Sequence, residues 1–392
     1  MSASLLAGNT AIVGIGQTEF SKESGRSELQ LACEAVSAAL DDAGLSPSDV
    51  DGMVTFTMDS SDEIDVARNV GIGDLNFFSR VPHGGGAAAG TVAHAAMAVA
   101  AGVADVVVCW RAFNERSGFR FGGSGRTSAE TPLFMAHYAP FGLVTPAAWV
   151  ALHAQRYMST YGVTNEDFGQ IAVVDRAHAA TNPDAWFYQR PITLEDHQIS
   201  RWIIEPVLRL LDCCQESDGG VAMVVTSAER ARDLRQPPAV LAAAAQGAAH
   251  NGEMMTSYYR EDITGLPEMG VVAEKLWRDS GLTPKDIQTA FIYDHFTPFV
   301  FTQFEELGFC ARGEAKDFAT VERLSLGGEL PINTHGGLLS QGHVVGLNHV
   351  IELTRQLRGE AGKAQVKAAE MGLVTGYGDM GDGSLAILRR AA

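Results

Sequence analysis

The chain has 392 residues, 46% of them apolar and 19% charged. That is enough for two cores, with the composition of an ordinary globular enzyme. A formal charge of −18 argues against nucleic acid or an anionic membrane surface as the main partner. No stretch approaches the ~18 uninterrupted apolar residues of a membrane span, and no basic region followed by an apolar run marks a secretory signal. The cysteines Cys33, Cys109, Cys213, Cys214 and Cys310 are odd in number and lack metal-ligand spacing. A reduced, cytoplasmic enzyme without a metal of its own is the natural reading.

Thr10 to Gly16 reads as the first strand. A helix follows, capped near Ser27 with Glu28 in its first turn, and stopped by Gly44. Val50 to Phe56 is a second strand. Pro82-His83-Gly84-Gly85-Gly86 then opens an Ala-rich helix from about Ala87 to Ala101, leading into a strand at 104–110. Strands alternating with helices predict a largely parallel sheet with helices on its faces. Residues from about 112 to 215 differ, with aromatic-rich loops and helices and few strands. Arg111, Arg116, Arg120 and Arg126 gather there, either as a basic patch for an anionic substrate or as solvated loop charges. Asp218 to Val225 resumes the sheet. The second half repeats the plan with strands at Val240–Ala245, Asp286–Tyr293, Leu373–Tyr377 and Leu385–Leu388. Its helices run over Met269–Ser280, Phe299–Leu307 and about Gln341 to Leu357.

The turn at 82–90 carries the most information. A glycine triplet at a helix N-terminus frees backbone N–H groups where a nucleophile or oxyanion is usually held. Yet no Cys, Ser or Thr lies between His83 and Gly90. The frame of a nucleophile turn is present without the nucleophile. Two echoes suggest an internal duplication. His83-Gly84-Gly85 matches His335-Gly336-Gly337, and Asp218-Gly219-Gly220 matches Asp382-Gly383-Ser384. His83 and Asp218 are 135 residues apart, whereas His335 and Asp382 are 47 apart. The excess marks an insertion, and it coincides with the aromatic-rich stretch.

Two α/β halves, an insertion after the first glycine turn, and the late Gly342-His343 turn resemble the thiolase superfamily over essentially the whole chain. Ile12-Val13-Gly14-Ile15-Gly16-Gln17-Thr18, Asp212-Cys213-Cys214, Tyr293-Asp294-His295-Phe296-Thr297 and Asn333-Thr334-His335-Gly336-Gly337-Leu338 are similar to its sterol-carrier-type, lipid-transfer-protein branch in actinobacteria. The resemblance implies a thiolase fold, with two duplicated α/β halves in a layered α-β-α-β-α arrangement. The halves would span 1–235 and 236–392, with an inserted loop domain at about 112–215. It also implies a homodimer that continues the sheet across a two-fold axis.

A thiolase of that type uses a nucleophilic Cys after the glycine turn, a His or Asn opening a His-Asp-Cys-Phe or Asn-Glu-Ala-Phe motif, a Gly-His-Pro turn and often a second Cys. Here Gly85 stands in the place of the nucleophile, Tyr293 in that of the His or Asn, and His295 in that of the motif's Cys. No Cys follows Cys310. His343 matches, with Val344 in place of the usual Pro. These departures argue against acyl transfer through a cysteine thioester. What survives is a pocket able to bind a CoA thioester and stabilise its enolate, which a retro-aldol reaction needs together with a base.

The resemblance makes His343, with the N–H groups of Gly84, Gly85 and Gly86, the donors to the thioester oxygen. His335 and Gly336, from the matching turn, join them as substrate-binding candidates. Tyr293 is a candidate base or relay, or else an aromatic strand end packed under the sheet. Asp294, beside it in the motif, is a further catalytic candidate but cannot lower the phenol pKa by charge, whereas His295, His335 or His343 can. Tyr377, at the second glycine-rich turn, is a further catalytic candidate. His83 reads equally as a turn cap, and His94 and His349 as packed helix residues.

Members of this branch that lack the cysteines resemble the aldolases that finish steroid side-chain degradation. That implies a 17-hydroxy steroid bearing a three-carbon acyl-CoA, cleaved to a 17-ketosteroid and propionyl-CoA. It implies no cofactor in this chain, and a small OB-fold partner with a zinc ribbon in an α2β2 complex. Met254, Met255, Tyr258, Tyr259, Phe119 and Phe121 suit a flat apolar ligand, or simply a core. Two other readings stay open: an acyltransferase using Ser124 or Ser340, and a non-catalytic scaffold of a steroid-degradation complex.

Overall fold

The computed structural model describes residues 5–82, 84–120, 135–250, 253–257, 259–378 and 381–391. Its strands are β1 (Thr10–Gln17), β2 (Gly52–Phe56), β3 (Phe77–Val81), β4 (Val106–Asn114), β5 (Trp202–Ile204), β6 (Leu208–Arg209), β7 (Asp218–Ser227), β8 (Ala239–Ala248), β9 (Thr289–Phe291), β10 (Met371–Gly378) and β11 (Asp382–Arg390). Nine of them form one sheet in the order β3-β2-β4-β7-β1-β8-β11-β10-β9, and β5 and β6 form a separate ribbon.

The sheet is mixed, not largely parallel as the alternation of elements predicts. Only β2 with β3, β2 with β4, and β9 with β10 pair in parallel. β7 enters antiparallel between β4 and β1, and β11 antiparallel between β10 and β8. Strands buried on both faces carry the same continuous apolar pattern in either direction, so the local sequence leaves direction open.

The duplication is visible in the strand order. Outward from the centre, β1-β7-β4-β2 corresponds to β8-β11-β10-β9. The place of β3 in the second half is marked by a single parallel bridge, Ala290 to Ile332. The echoed Asp-Gly sequences begin β7 and β11. The two halves meet through Ala11–Val240 and Ile12–Ala239.

Helices supply the other layers. The Glu28–Ala43 helix starts where Ser27 Oγ accepts from the Gln30 N–H (3.1 Å) and ends at left-handed Gly44. Its buried face lies with β1, β4 and β7 in one outer core. The Pro267–Ser280 helix covers β8 and β11 on the opposite side. Between them lies the Ala87–Ala100 helix, 11 of whose 14 residues are buried. A helix apolar all round belongs inside, and its alanines let strands of both halves approach. The Leu347–Arg358 helix shares that inner layer.

One helix departs from the expectation. The chain from Gly337 to Gln341 is a π-type turn, and the regular helix begins only at Leu347. The Asp294 carboxylate accepts from the Leu338 and Leu339 N–H groups (2.9 and 3.0 Å), fixing the turn from outside. The arginine group also divides. Arg111 is fully buried on β4, paired with Asp59 at 3.1 Å and lying over the Phe113 ring, so it is no part of a basic patch. Arg120 pairs with Glu216, and Arg126 lies outside the described residues.

Candidate active site

Residues 293–295 join β9 to the Thr297–Glu306 helix. The Tyr293 peptide is held on both sides. Its N–H donates to Thr375 Oγ1 (2.8 Å), its carbonyl accepts from Gln303 Nε2 (2.7 Å), and Thr375 Oγ1 donates to Gln303 Oε1 (2.6 Å). The phenol so anchored reaches Gly85. A Cβ at Gly85 would lie 2.5 Å from the Tyr293 hydroxyl and nearer still to Tyr293 Cζ and the Tyr377 carbonyl oxygen. The space that a side chain at Gly85 would need is therefore filled by a phenol. It is not open for a bulky substrate carbon, as the glycine alone would suggest. His83, at the start of this turn, lies outside the described residues.

The phenol is the end of a chain of three buried side chains. Tyr293 Oη lies 3.4 Å from His343 Nε2, and His343 Nδ1 lies 2.6 Å from Glu115 Oε2. Tyr293, His343 and Glu115 are all at most 4% exposed. Glu115 directly follows β4, and the His343 N–H donates to the Gln215 carbonyl (3.0 Å), so both ends are set by backbone. A neutral His343 whose Nδ1–H donates to Glu115 presents Nε2 to the phenol as an acceptor. Lys22 braces the same segment. Its ammonium donates to the Glu216 carbonyl (2.6 Å), and burial, then Arg116, lowers its pKa to about 8.

His295 lies between the two tyrosines. Its ring stacks on Phe299 (4.9 Å, 8°) and is 4.9 Å from the Tyr293 ring and 6.3 Å from the Tyr377 ring. Tyr377, at the end of β10, is fully buried. Arg260 Nη2 lies 3.1 Å from Glu268 Oε2. Burial pushes the Glu268 carboxyl above its usual range, against the opposing pull of Arg260.

Three of the expected site residues sit elsewhere. Asp294 points away from Tyr293, toward the 337–341 turn, with His349 Nε2 3.3 Å from its carboxylate. Burial acts to raise it, but His349, Asp175 and the Leu338 N–H hold it below the usual range, and Asp175 is pushed up in turn. It is an anchor of the fold, since two consecutive backbone donors need a buried acceptor. His335 packs on Phe291 and His349 (5.5 and 5.0 Å), and burial holds its pKa well below the usual value. Gly336, at φ +109°, packs on Ala179. The His-Gly echo is thus structural in the second half. Gly84 and Gly86 flank Gly85, and a Cβ on Gly86 would meet the Asp382 carboxyl (Cγ at 2.6 Å).

The alternative nucleophiles are not armed. Ser340 Oγ accepts from Arg176 Nε (3.0 Å), which gives it no base, and Ser124 lies outside the described residues. Cys214 lies behind His295, whose carbonyl accepts from its N–H (2.9 Å). Burial, then Glu115, pushes its thiol well up. Of the proposed apolar ligand residues, Met254 and Met255 are buried, Phe119 and Tyr259 are exposed, and Phe121 and Tyr258 lie outside the described residues. Glu115 was not legible from motifs. Its one signal is an acid placed immediately after a long apolar strand. Glu268 and Arg260 carry no such signal.

Residues 247–390 match the family described as thiolase C-terminal domain-like. A steroid side-chain-cleaving aldolase of Thermomonospora curvata is 66% identical over 360 residues, covering 91% of this chain and 92% of that protein. The chain belongs to this aldolase family of the thiolase superfamily. A second aldolase relative, a 17-hydroxy-3-oxo-4-pregnene-20-carboxyl-CoA lyase of Mycobacterium tuberculosis, is 62% identical over 91% of this chain and 93% of its own. A solved structure described as an Ltp2-ChsH2(DUF35) aldolase superimposes with a TM-score of 0.93 at 62% identity, covering 99% of both chains. Human mitochondrial 3-ketoacyl-CoA thiolase shares the aldolase fold at 16% identity and a TM-score of 0.69, over 99% of this chain and 100% of its own. The aldolase is therefore a carbon–carbon lyase built on a thiolase frame.

Proposed function

We propose that this aldolase cleaves the C17–C20 bond of a 17-hydroxy steroid carrying a three-carbon acyl-CoA, releasing a 17-ketosteroid and propionyl-CoA. The observation that carries this reading is the Glu115–His343–Tyr293 chain ending where the nucleophile would stand. Tyr293 takes the proton of the 17-hydroxyl and passes its own to His343 Nε2. Glu115 stabilises the imidazolium that forms. The C–C electrons move into the thioester, giving an enolate. His295 and the N–H groups at the start of the Ala87–Ala100 helix hold the thioester oxygen as charge develops there. No acyl-enzyme forms at any point, and the chain itself supplies no cofactor.

The relatives' assembly supports a complex. A related structure contains a DUF35 chain, and we assign this aldolase an OB-fold partner that carries its own zinc ribbon, in an α2β2 assembly. Its centre would be a homodimer joined at β3, the strand at one edge of the sheet, where Phe78 is 61% exposed. No helix among the described residues is long and apolar enough to cross a membrane. Five unpaired cysteines favour a reducing compartment, the cytoplasm.

The test is incubation of a panel of β-hydroxyacyl-CoA esters with the enzyme, with and without the OB-fold partner, followed by mass spectrometry. Ketosteroid and propionyl-CoA in equal amounts are expected, with no acyl adduct on the protein. A trapped acyl-enzyme, or no C–C cleavage with the partner present, overturns the reading.

A further inference from the structure

The turn that carries His343 does not hold its shape by itself. It runs from the π-type turn at 337–341 to Val345, which sits at φ +61°. A β-branched residue in the left-handed region is strained, and it persists only where the surroundings over-determine it. Those surroundings are two separate segments. On one side, the Gln215 N–H donates to the Leu338 carbonyl (2.9 Å), and the Gln215 carbonyl accepts from the His343 N–H (3.0 Å). On the other, the Trp186 and Phe187 N–H groups donate to the Gln341 and Ser340 carbonyls (3.0 and 3.3 Å).

Lys22 joins the two segments. Its Nζ donates to the Glu216 carbonyl (2.6 Å) and to Gln215 Oε1 (3.3 Å), and it lies 5.1 Å from the centre of the Trp186 ring. The chain just before it covers the turn from a third direction. Phe20 packs so closely on Gly342 that a Cβ there would lie 2.7 Å from the ring. One ammonium thus ties together both stretches of backbone that fix His343. A neutral amine would do this less well. The hydrogen bonds of an ammonium are charge-assisted, and its attraction to an indole face requires the charge.

We infer that Lys22 is a positioning residue whose positive charge holds His343 Nε2 within proton-transfer reach of Tyr293. This rests on the retro-aldol reading above and adds a requirement at alkaline pH. The 3.4 Å between Tyr293 Oη and His343 Nε2 is at the outer limit of a hydrogen bond, so a small slip of the turn breaks it. Four groups act on the ammonium from around it. Arg116 disfavours its charge, whereas Cys214, Glu115 and Glu216 favour it. Burial is the largest influence, and it brings the pKa down to about 8. The charge is present below that pH and lost above it.

The test is the single-turnover rate of steroid cleavage by the complex with its partner, followed from about pH 6.5 to about pH 9.5. The wild-type rate is expected to fall at least about fivefold as the ammonium loses its proton. Lys22→Met should be at least about tenfold slower at neutral pH, with half-saturating substrate changed no more than about twofold. Lys22→Arg, whose guanidinium does not titrate in this range, should recover most of the rate and keep it at alkaline pH. Thermal unfolding shows whether each variant is folded. Where Lys22→Met is not, the wild-type and Lys22→Arg profiles decide. A folded Lys22→Met enzyme within about twofold of wild type overturns the proposal. So does a wild-type rate that stays level across the range. A folded Lys22→Arg enzyme that is as slow as Lys22→Met, or that falls with pH as the wild type does, overturns it too. A wild-type complex that never cleaves the steroid ester overturns the retro-aldol reading and this proposal with it, whereas cleavage with a level profile overturns this proposal alone.

Discussion

The Tyr293 ring occupies the volume that a side chain on Gly85 would need, its hydroxyl 2.5 Å from the position of a Cβ there. Gly85→Ala is therefore expected to destabilise the protein by about 1–3 kcal/mol, the usual cost of overpacking a close-packed core. Thermal unfolding would read this as a lower melting temperature. Adding Tyr293→Phe should not restore it, because Cζ and the Tyr377 carbonyl stay in place. Full recovery in the double variant would mean that the clash is not with the ring.

The relay predicts graded losses. Tyr293→Phe and His343→Ala are expected to lower steroid cleavage by at least ~10². Glu115→Gln keeps a hydrogen-bond acceptor for His343 but not the charge, and should lower kcat by ~10 to 10² with KM nearly unchanged. Steady-state kinetics on the complex distinguishes this from a structural effect, which would alter KM and the fraction folded together.

Three buried histidines predict acid sensitivity. Burial lowers His153 and His178 to about 4 and holds His335 well below its ordinary 6.5. Below pH 6.5 the unfolded chain takes up protons at these positions that the folded chain refuses, so unfolding gains. Each histidine should then cost about 1.4 kcal/mol of stability per pH unit, until pH passes its folded pKa and the loss levels off. A melting temperature that is flat from pH 7 to pH 5 would contradict it.

Asp294 accepts two consecutive backbone N–H groups at full burial. Asp294→Ala strands both donors together with His349, and should cost about 2–5 kcal/mol in urea unfolding.

Phe78 on the sheet edge tests the assembly. Phe78→Lys places a charge where a second copy would lay its own β3, and light scattering should then report half the mass of the homodimer. An unchanged mass would move the interface elsewhere.

Much of the site could be read before any coordinates. The absence at Gly85, the substituted motif at Tyr293 and His295, the retained His343, and Tyr377 all follow from residue identity against a motif, and the fold packs all of them together. Asp294 and His335 belong to the same motifs, yet one faces the 337–341 turn and the other packs on Phe291. Neighbours along a strand end point opposite ways, and spacing alone does not say which way is inward. Glu115, Glu268 and Arg260 were hidden for another reason. They come from separate elements, and only the tertiary fold brings Glu115 behind the Tyr293 phenol and Arg260 against Glu268. The elements were legible as helix or strand, but the direction of β7 and β11 was not, because burial on both faces erases it.

Tyr293 and Asp294, adjacent in the chain, each close a glycine turn: the phenol at Gly85 in the first half, the carboxylate at Gly337 in the second. The two copies of the duplicated plan are thus pinned by one dipeptide. Neither position can drift by itself. A side chain at Gly85 demands a smaller residue at 293 and also a shift of the Tyr377 backbone, whose carbonyl oxygen would overlap its Cβ. A nucleophile therefore cannot enter this turn through one substitution: the ring at 293 and the end of β10 have to move with it.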